Sequence, residues 1–186
     1  MTPPTTPAFS AEQQAWFERA CARINPQRLQ QLLFSIVDIH SPTGAARAAS
    51  EFMAQRLSEA GLKARYQPMT ETSGNVLAEL RGSGGGAALM LYAPIDTHLD
   101  LTEAESEWTG ARGEADMQPR AQSLGDWVFG LGASNPKAMV ATLTEIATAL
   151  IEAEVPLVGD LLVGMADGGM PVDISARNHG GMSNGV

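Results

Sequence analysis

The chain has 186 residues, 44% of them hydrophobic, which suffices for one globular domain with a sizeable core. Twelve basic against twenty-one acidic residues give a net charge of −9, and no Lys/Arg cluster stands out, which argues against nucleic acid or an anionic membrane as partner. Cys21, the single cysteine, excludes an internal disulfide and a multi-cysteine zinc site.

The start, MTPPTTPAFS, has neither a basic stretch nor an apolar core and does not read as a signal peptide. No apolar run approaches the roughly 20 residues that a membrane span requires. A soluble cytoplasmic protein is the expectation. Residues 1–9 read as a flexible arm. Ser10 and Gln13 form a capping-box pattern that opens a helix to about Arg23. Asn25-Pro26 supplies an N-cap and a first-turn proline for a second helix, with Leu29, Leu32, Leu33, Ile36 and Val37 as its apolar stripe. SPTG at 41–44 interrupts. A third helix then runs to Ala60, with Ala45, Ala49, Phe52, Met53 and Leu57 on one face and Gly61 as its stop.

Beyond Gly61 the period changes. Leu62 to Pro68 and Asn75 to Arg81 read as strands, and GSGGG at 82–86 as a flexible hairpin connection. The apolar run ALMLYAPI, 88–95, reads as a strand buried on both faces. Residues 99–125 are polar and irregular. Asp126 to Leu131 reads as a short strand, Pro136 to Ala153 as a strong helix and Val158 to Met165 as a buried strand. This order predicts an α/β layer fold. The end, NHGGMSNGV, reads as the approach to another helix, so the expectation is a partial domain or a subunit completed by another chain.

Glycine-rich turns after buried strands gather polar groups at the carboxyl edge of a sheet, where α/β proteins place their sites. Three occur here. APIDTHLD (93–100) offers Asp96, His98 and Asp100, GLGASNPK (130–137) offers Asn135 and Lys137, and MADGGMP (165–171) offers Asp167. Each has a bland alternative. The three aspartates could cap turns, and His98 could be a satisfied edge histidine. Asn135 before Pro136 has the form of a helix N-cap. Lys137 sits where the helix dipole disfavours a cation, a hint of function. GSGGG lacks the Lys and Ser/Thr of a phosphate loop.

Taken in order, LLFSIVDIHSPTG (32–44), GNVLAELRGSGGGAALMLYAPID (74–96), WVFGLGASNPKAMVATLTEIATAL (127–150) and GDLLVGMADGG (159–169) resemble the zinc-dependent peptidase and deacylase family of aminoacylase, acetylornithine deacetylase and succinyl-diaminopimelate desuccinylase. The resemblance implies the N-terminal part of a three-layer catalytic domain, a mixed sheet flanked by helices, over residues 10–186, without the family's lid domain. It also implies two zinc ions. The family's His-x-Asp turn falls on Pro94 and Asp96, with His98-Leu99-Asp100 as a slipped alternative. Its bridging Asp falls on Asn135, and its Glu-Glu pair, general base then ligand, on Gly168 and Gly169. Zinc needs about three protein ligands and an open position to generate hydroxide near neutral pH, and losing a general base costs ~10²–10⁴ in rate. The usual two-zinc mechanism is therefore not expected of this chain alone.

Two functions stay open at this level. One is a divergent hydrolase of an amide or related C–N bond in a small molecule, using Asp96, His98 and Lys137, with Asp96, His98 and Asp100 as metal ligands. The other is a catalytically silent structural or regulatory subunit. Either is expected in a homo- or hetero-oligomer, with a partner chain completing the fold.

Overall fold

The computed structural model describes residues 9–99, 101 and 113–169. Residues 1–8 of the arm expected at 1–9, the tail with His179, and Asp100 lie outside the described residues. Helix starts near the amino end follow local chemistry. Ser10 and Gln13 exchange side chain-to-backbone hydrogen bonds of 3.1 and 2.9 Å, satisfying two otherwise orphaned N–H groups at the start of α1 (Ala11–Cys21). Asn25 Oδ1 accepts from the N–H groups of Gln27 and Arg28, each at 3.0 Å, and Pro26 fills the first position of α2 (Pro26–Val37). α3 (Arg47–Glu59) and α4 (Lys137–Glu152) complete the described helices, besides a single 3-10 turn at Ala115–Met117.

The main sheet has four strands. β1 (Lys63–Pro68) and β2 (Gly74–Leu80) form an antiparallel hairpin, while β3 (Leu89–Pro94) lies further along the sheet. A small separate hairpin, β4 (Gln122–Leu124) and β5 (Trp127–Phe129), turns at Gly125, whose φ of 58° suits glycine. β6 (Leu161–Ala166) runs antiparallel to β2 and parallel to β3, giving the order β1-β2-β6-β3. The fold is α/β with a mixed sheet flanked by helices, as the sequence suggested.

That order corrects two local readings. GSGGG is not a hairpin connection, because β6 inserts between the strands it joins. The loop instead packs on the approach to β6: Gly82 N–H donates to Asp160 and Ser83 N–H to the Leu157 carbonyl, at 2.9 and 2.8 Å. A Cβ on Gly82 would stand 2.5 Å from the Gly159 carbonyl oxygen, so only glycine fits there. Secondly, β3 is not buried on both faces. Among the described strands it lies at one edge, and Leu89, Met90 and Tyr92 are all exposed. β6, central and almost wholly buried, is the strand that its apolar composition promised.

Alternate positions of the strands face the helices. Val76, Ala78, Ala93, Leu161, Val163 and Met165 pack there with Ile36, Met53, Leu57, Val140 and Ala147, all essentially excluded from solvent. At about 1.5–3 kcal/mol for each large apolar side chain fully buried, this layer is the main source of stability. The opposite alternation, with Leu77, Met90, Tyr92 and Gly164, lines a groove of about 600 Å³ that no described helix covers.

Behind the sheet, Glu145 is 4% exposed and accepts from the Arg28 guanidinium at 2.7 Å and from Asn25 N–H at 2.7 Å. Arg28 also reaches Glu152, and the hydrogen bonds it donates to Glu145 hold its guanidinium firmly charged. This ion pair ties the start of α2 to α4.

Candidate functional site

Because β3 and β6 are parallel, their carboxyl ends emerge at the same edge of the sheet, and three turns meet there. The turn after β3 touches the 130–135 turn: a Cβ on Gly132 would lie 2.8 Å from Thr97 Cγ2. It also touches the turn after β6, where a Cβ on Gly169 would lie 3.0 Å from Pro94 Cβ. Gly132 and Gly168, with φ of 80° and 94°, occupy left-handed backbone that side chains strain to adopt.

A fourth element joins them. Residues 41–44, read from the sequence only as a helix break, first run beside residues 95–97 and then turn at Thr43–Gly44, so that Ala45, expected on the third helix, precedes it. Thr97 N–H donates to the Ser41 carbonyl at 2.8 Å and Thr43 N–H to the Thr97 carbonyl at 3.0 Å. Ser41 Oγ donates to the Ile95 carbonyl at 3.1 Å, and His40 Nε2 lies 3.2 Å from the Leu99 carbonyl. The alternation of small hydroxyl residues around Pro42 was the available signal for an extended segment.

Two buried carboxylates organise this cluster. Asp96, fully excluded from solvent, accepts from the Thr43 hydroxyl on one oxygen and from Gly169 N–H at 3.3 Å on the other. Burial raises its pKa, the Thr43 hydrogen bond opposes that shift, and the nearby Asp167 charge adds to it. Asp167, 1% exposed, accepts from Gly44 N–H at 2.9 Å and from Ala46 N–H at 3.2 Å. It ties the loop that leads into α3 to the turn after β6.

The other candidates separate. His98 is exposed, two residues from buried Asp96, so the turn presents one inward and one outward group. Lys137 is fully buried, and its Nζ donates to the Ile39 carbonyl at 2.7 Å. Burial pulls its pKa down to about 8, with Asp38 opposing the shift. Asn135 is exposed and does not cap α4, whose cap residue, Pro136, makes no side-chain hydrogen bond and follows a cis peptide bond. The N-cap reading of Asn135 is thereby corrected: the turn delivers the chain to the helix after the asparagine, not at it.

These donors do not fit a two-zinc centre. Among the described residues, no group of three or more His, Cys, Asp and Glu could hold a metal ion. Pro94 and Gly168 bring no donor side chain, and both oxygens of Asp96 already accept hydrogen bonds. A glutamate at 168 would strain the backbone at φ 94°, and one at 169 would crowd Pro94.

Comparison with solved structures decides what this architecture is. A tripeptidase from Staphylococcus aureus superposes with a TM-score of 0.59 at 16% identity, over 78% of this chain and 37% of its own. The LapA aminopeptidase of Legionella pneumophila gives 0.61 at 8% identity, over 89% and 40%. Human carnosine dipeptidase 1 gives 0.59 at 14%, over 86% and 35%. The chain shares the fold of this part of these peptidases. At these identities the likeness extends to the fold alone, and this chain spans well under half the length of each of these three enzymes. No family model and no curated protein matches the sequence. No described helix is long and apolar enough to cross a membrane.

Proposed function

We propose that this chain is a divergent, metallohydrolase-like protein of the zinc-peptidase superfamily, related to aminoacylase, acetylornithine deacetylase and succinyl-diaminopimelate desuccinylase. It works as one part of a larger cytoplasmic assembly. In this reading it holds a small amide- or carboxylate-bearing molecule at the turn cluster and does not perform two-zinc hydrolysis by itself. One observation carries the reading. Asp96 and Asp167, the buried carboxylates at the cluster, are engaged by Thr43, Gly169, Gly44 and Ala46. Carboxylates held in this way brace a loop.

A second reading, hydrolysis of an amide C–N bond, draws support from His98. It is exposed two residues from Asp96, where an imidazole could act as base or ligand once further groups, Asp100 or a partner chain's residues, complete the set. Lys137 suits neither substrate contact nor proton transfer unless its buried bond to Ile39 opens.

The test is bound zinc and hydrolysis of N-acyl amino acids and dipeptides by the protein purified with its native partners, compared with His98→Ala. Metal-free, inactive protein that still binds an N-acyl amino acid is the expected result. Stoichiometric zinc with turnover abolished by His98→Ala would establish the hydrolase instead. A protein that binds none of these compounds would overturn both.

A further inference from the structure

We propose that the cleft between α2, α3 and α4 is a binding site for a small aliphatic amine, separate from the turn cluster. The inference stands apart from the preceding reading. Lys137, at the turn cluster, and Glu152, at the cleft, mark the two ends of the 16-residue helix α4, roughly 22 Å apart. The cleft measures about 480 Å³, within the ~300–1,000 Å³ usual for small-molecule sites. Close-packed helices leave few voids larger than a water molecule. Every lining residue belongs to these three helices or to Ala60 at the end of α3, so the described residues form the walls by themselves.

The charge on those walls is unbalanced. Arg28 stands between two carboxylates: its Nε and Nη2 donate to Glu145, each at 2.7 Å, and its Nη1 to Glu152 at 2.6 Å. Glu145 is only 4% exposed. Desolvated negative charge without a full counter-charge is costly, and a bound cation offsets it. Arg56 and Glu59, which also line the cleft, pair with each other at 2.8 Å and do not supply the difference. The hydrogen-bonding capacity has the same bias. Thr144 and Thr148, 5% and 8% exposed, donate their hydroxyl protons to the Val140 and Thr144 carbonyls at 2.9 and 2.8 Å. With the protons committed there, the hydroxyl oxygens at the cleft can only accept. An ammonium, with three donors and no acceptor, suits such a wall. A metal ion does not, because among the described residues no three His, Cys, Asp or Glu side chains come together to hold one. The cation is therefore an extended one, with a hydrocarbon body for Leu32 and Ala60 on the same walls.

The test is titration of the full chain with n-butylammonium chloride, followed by backbone amide NMR and calorimetry. Saturable one-to-one binding is expected, with the shifted amides confined to α2, the end of α3 and α4. Glu152→Gln keeps the size of a partly exposed side chain and removes the excess charge. It should weaken binding about tenfold, the worth of one charge-assisted hydrogen bond, and leave N-acyl amino acid binding at the turn cluster unchanged. Thr148→Val, which keeps the shape and removes the acceptor, should weaken it by a smaller factor. Neutral n-butanol, with the same hydrocarbon body, should not compete. Circular dichroism of both variants should match that of the parent chain. Failure to saturate at millimolar amine, equal affinity in Glu152→Gln, competition by the alcohol, or amide shifts scattered over the acidic surface would each overturn the proposal, while leaving the proposed function standing.

Discussion

The rear start of α2 and the site-side starts of α3 and α4 solve one problem in different ways. Every helix begins with N–H groups that need partners. At α2 the partner is local: Asn25, one residue before the helix, accepts two of them. At α3, where Ala46 stands at the cap with no side chain to offer, Arg47 N–H donates to the Thr72 carbonyl at 3.0 Å, and Asp167, 121 residues away, holds the N–H of Ala46 itself. At α4 the cap residue makes no side-chain bond. Lys137 N–H instead donates to the Gly132 carbonyl at 2.9 Å, and its buried side chain anchors the turn to the end of α2. Local capping makes a helix; remote capping makes a site, because it couples separate turns into one unit.

The sharpest way to break this contrast is Asp167→Ala. Two N–H groups would lose a charged acceptor, each such bond being worth about 1.5–3 kcal/mol, so a loss of roughly 3–6 kcal/mol is expected in urea denaturation. A loss below about 1 kcal/mol would show that water replaces the carboxylate and that the loop before α3 does not depend on the remote turn.

Lys137 comes next, and its sign is specific. Its folded pKa of about 8 lies below the ordinary lysine value, so between about 8 and 10.4 the unfolded chain binds more protons than the folded one. Stability should therefore rise with pH through that window, by about 3 kcal/mol in full, and Lys137→Met should abolish that rise. Denaturation midpoints of both proteins at pH 7 and pH 10 measure it. Parallel pH profiles would mean that the ammonium stays hydrated and that α4 is not anchored through it. The smallest effects test the two Asn-Pro pairs directly. Asn25→Ala should cost about 1 kcal/mol, the usual value of a lost N-cap, whereas Asn135→Ala should change stability by less than about 0.5 kcal/mol.

Much of the fold was legible because its causes are short-range. The capping box at Ser10, the Asn25-Pro26 start, the apolar stripes of α2 and α3, and the apolar run of β6 each place their own signal within a few residues. The errors arose where the cause is distant. ALMLYAPI has the composition of a central strand, yet β6, arriving some seventy residues later, takes the central place and leaves β3 at an edge of the described strands. The site was legible in part. The three glycine turns were visible as turns, and two of their aspartates proved to be buried carboxylates. The loop at 40–46 that engages both was not visible, since its Thr43 and Gly44 acquire their partners only through the chain's return.

The sequence by itself determined the α/β class, the helices that cap themselves, and a net charge and cysteine count that exclude several classes of function. It also determined that Pro94, Gly168 and Gly169 bring no metal-binding side chain to the turn cluster. Only the tertiary structure decided that Asp96 and Asp167 brace a loop, that Lys137 is buried against a carbonyl, that Asn135 does not cap the helix after it and that β6 lies between β2 and β3. The reason is physical. Propensity, capping and periodicity act over one or two turns of chain, while burial and hydrogen-bond partnership depend on which distant segment arrives alongside.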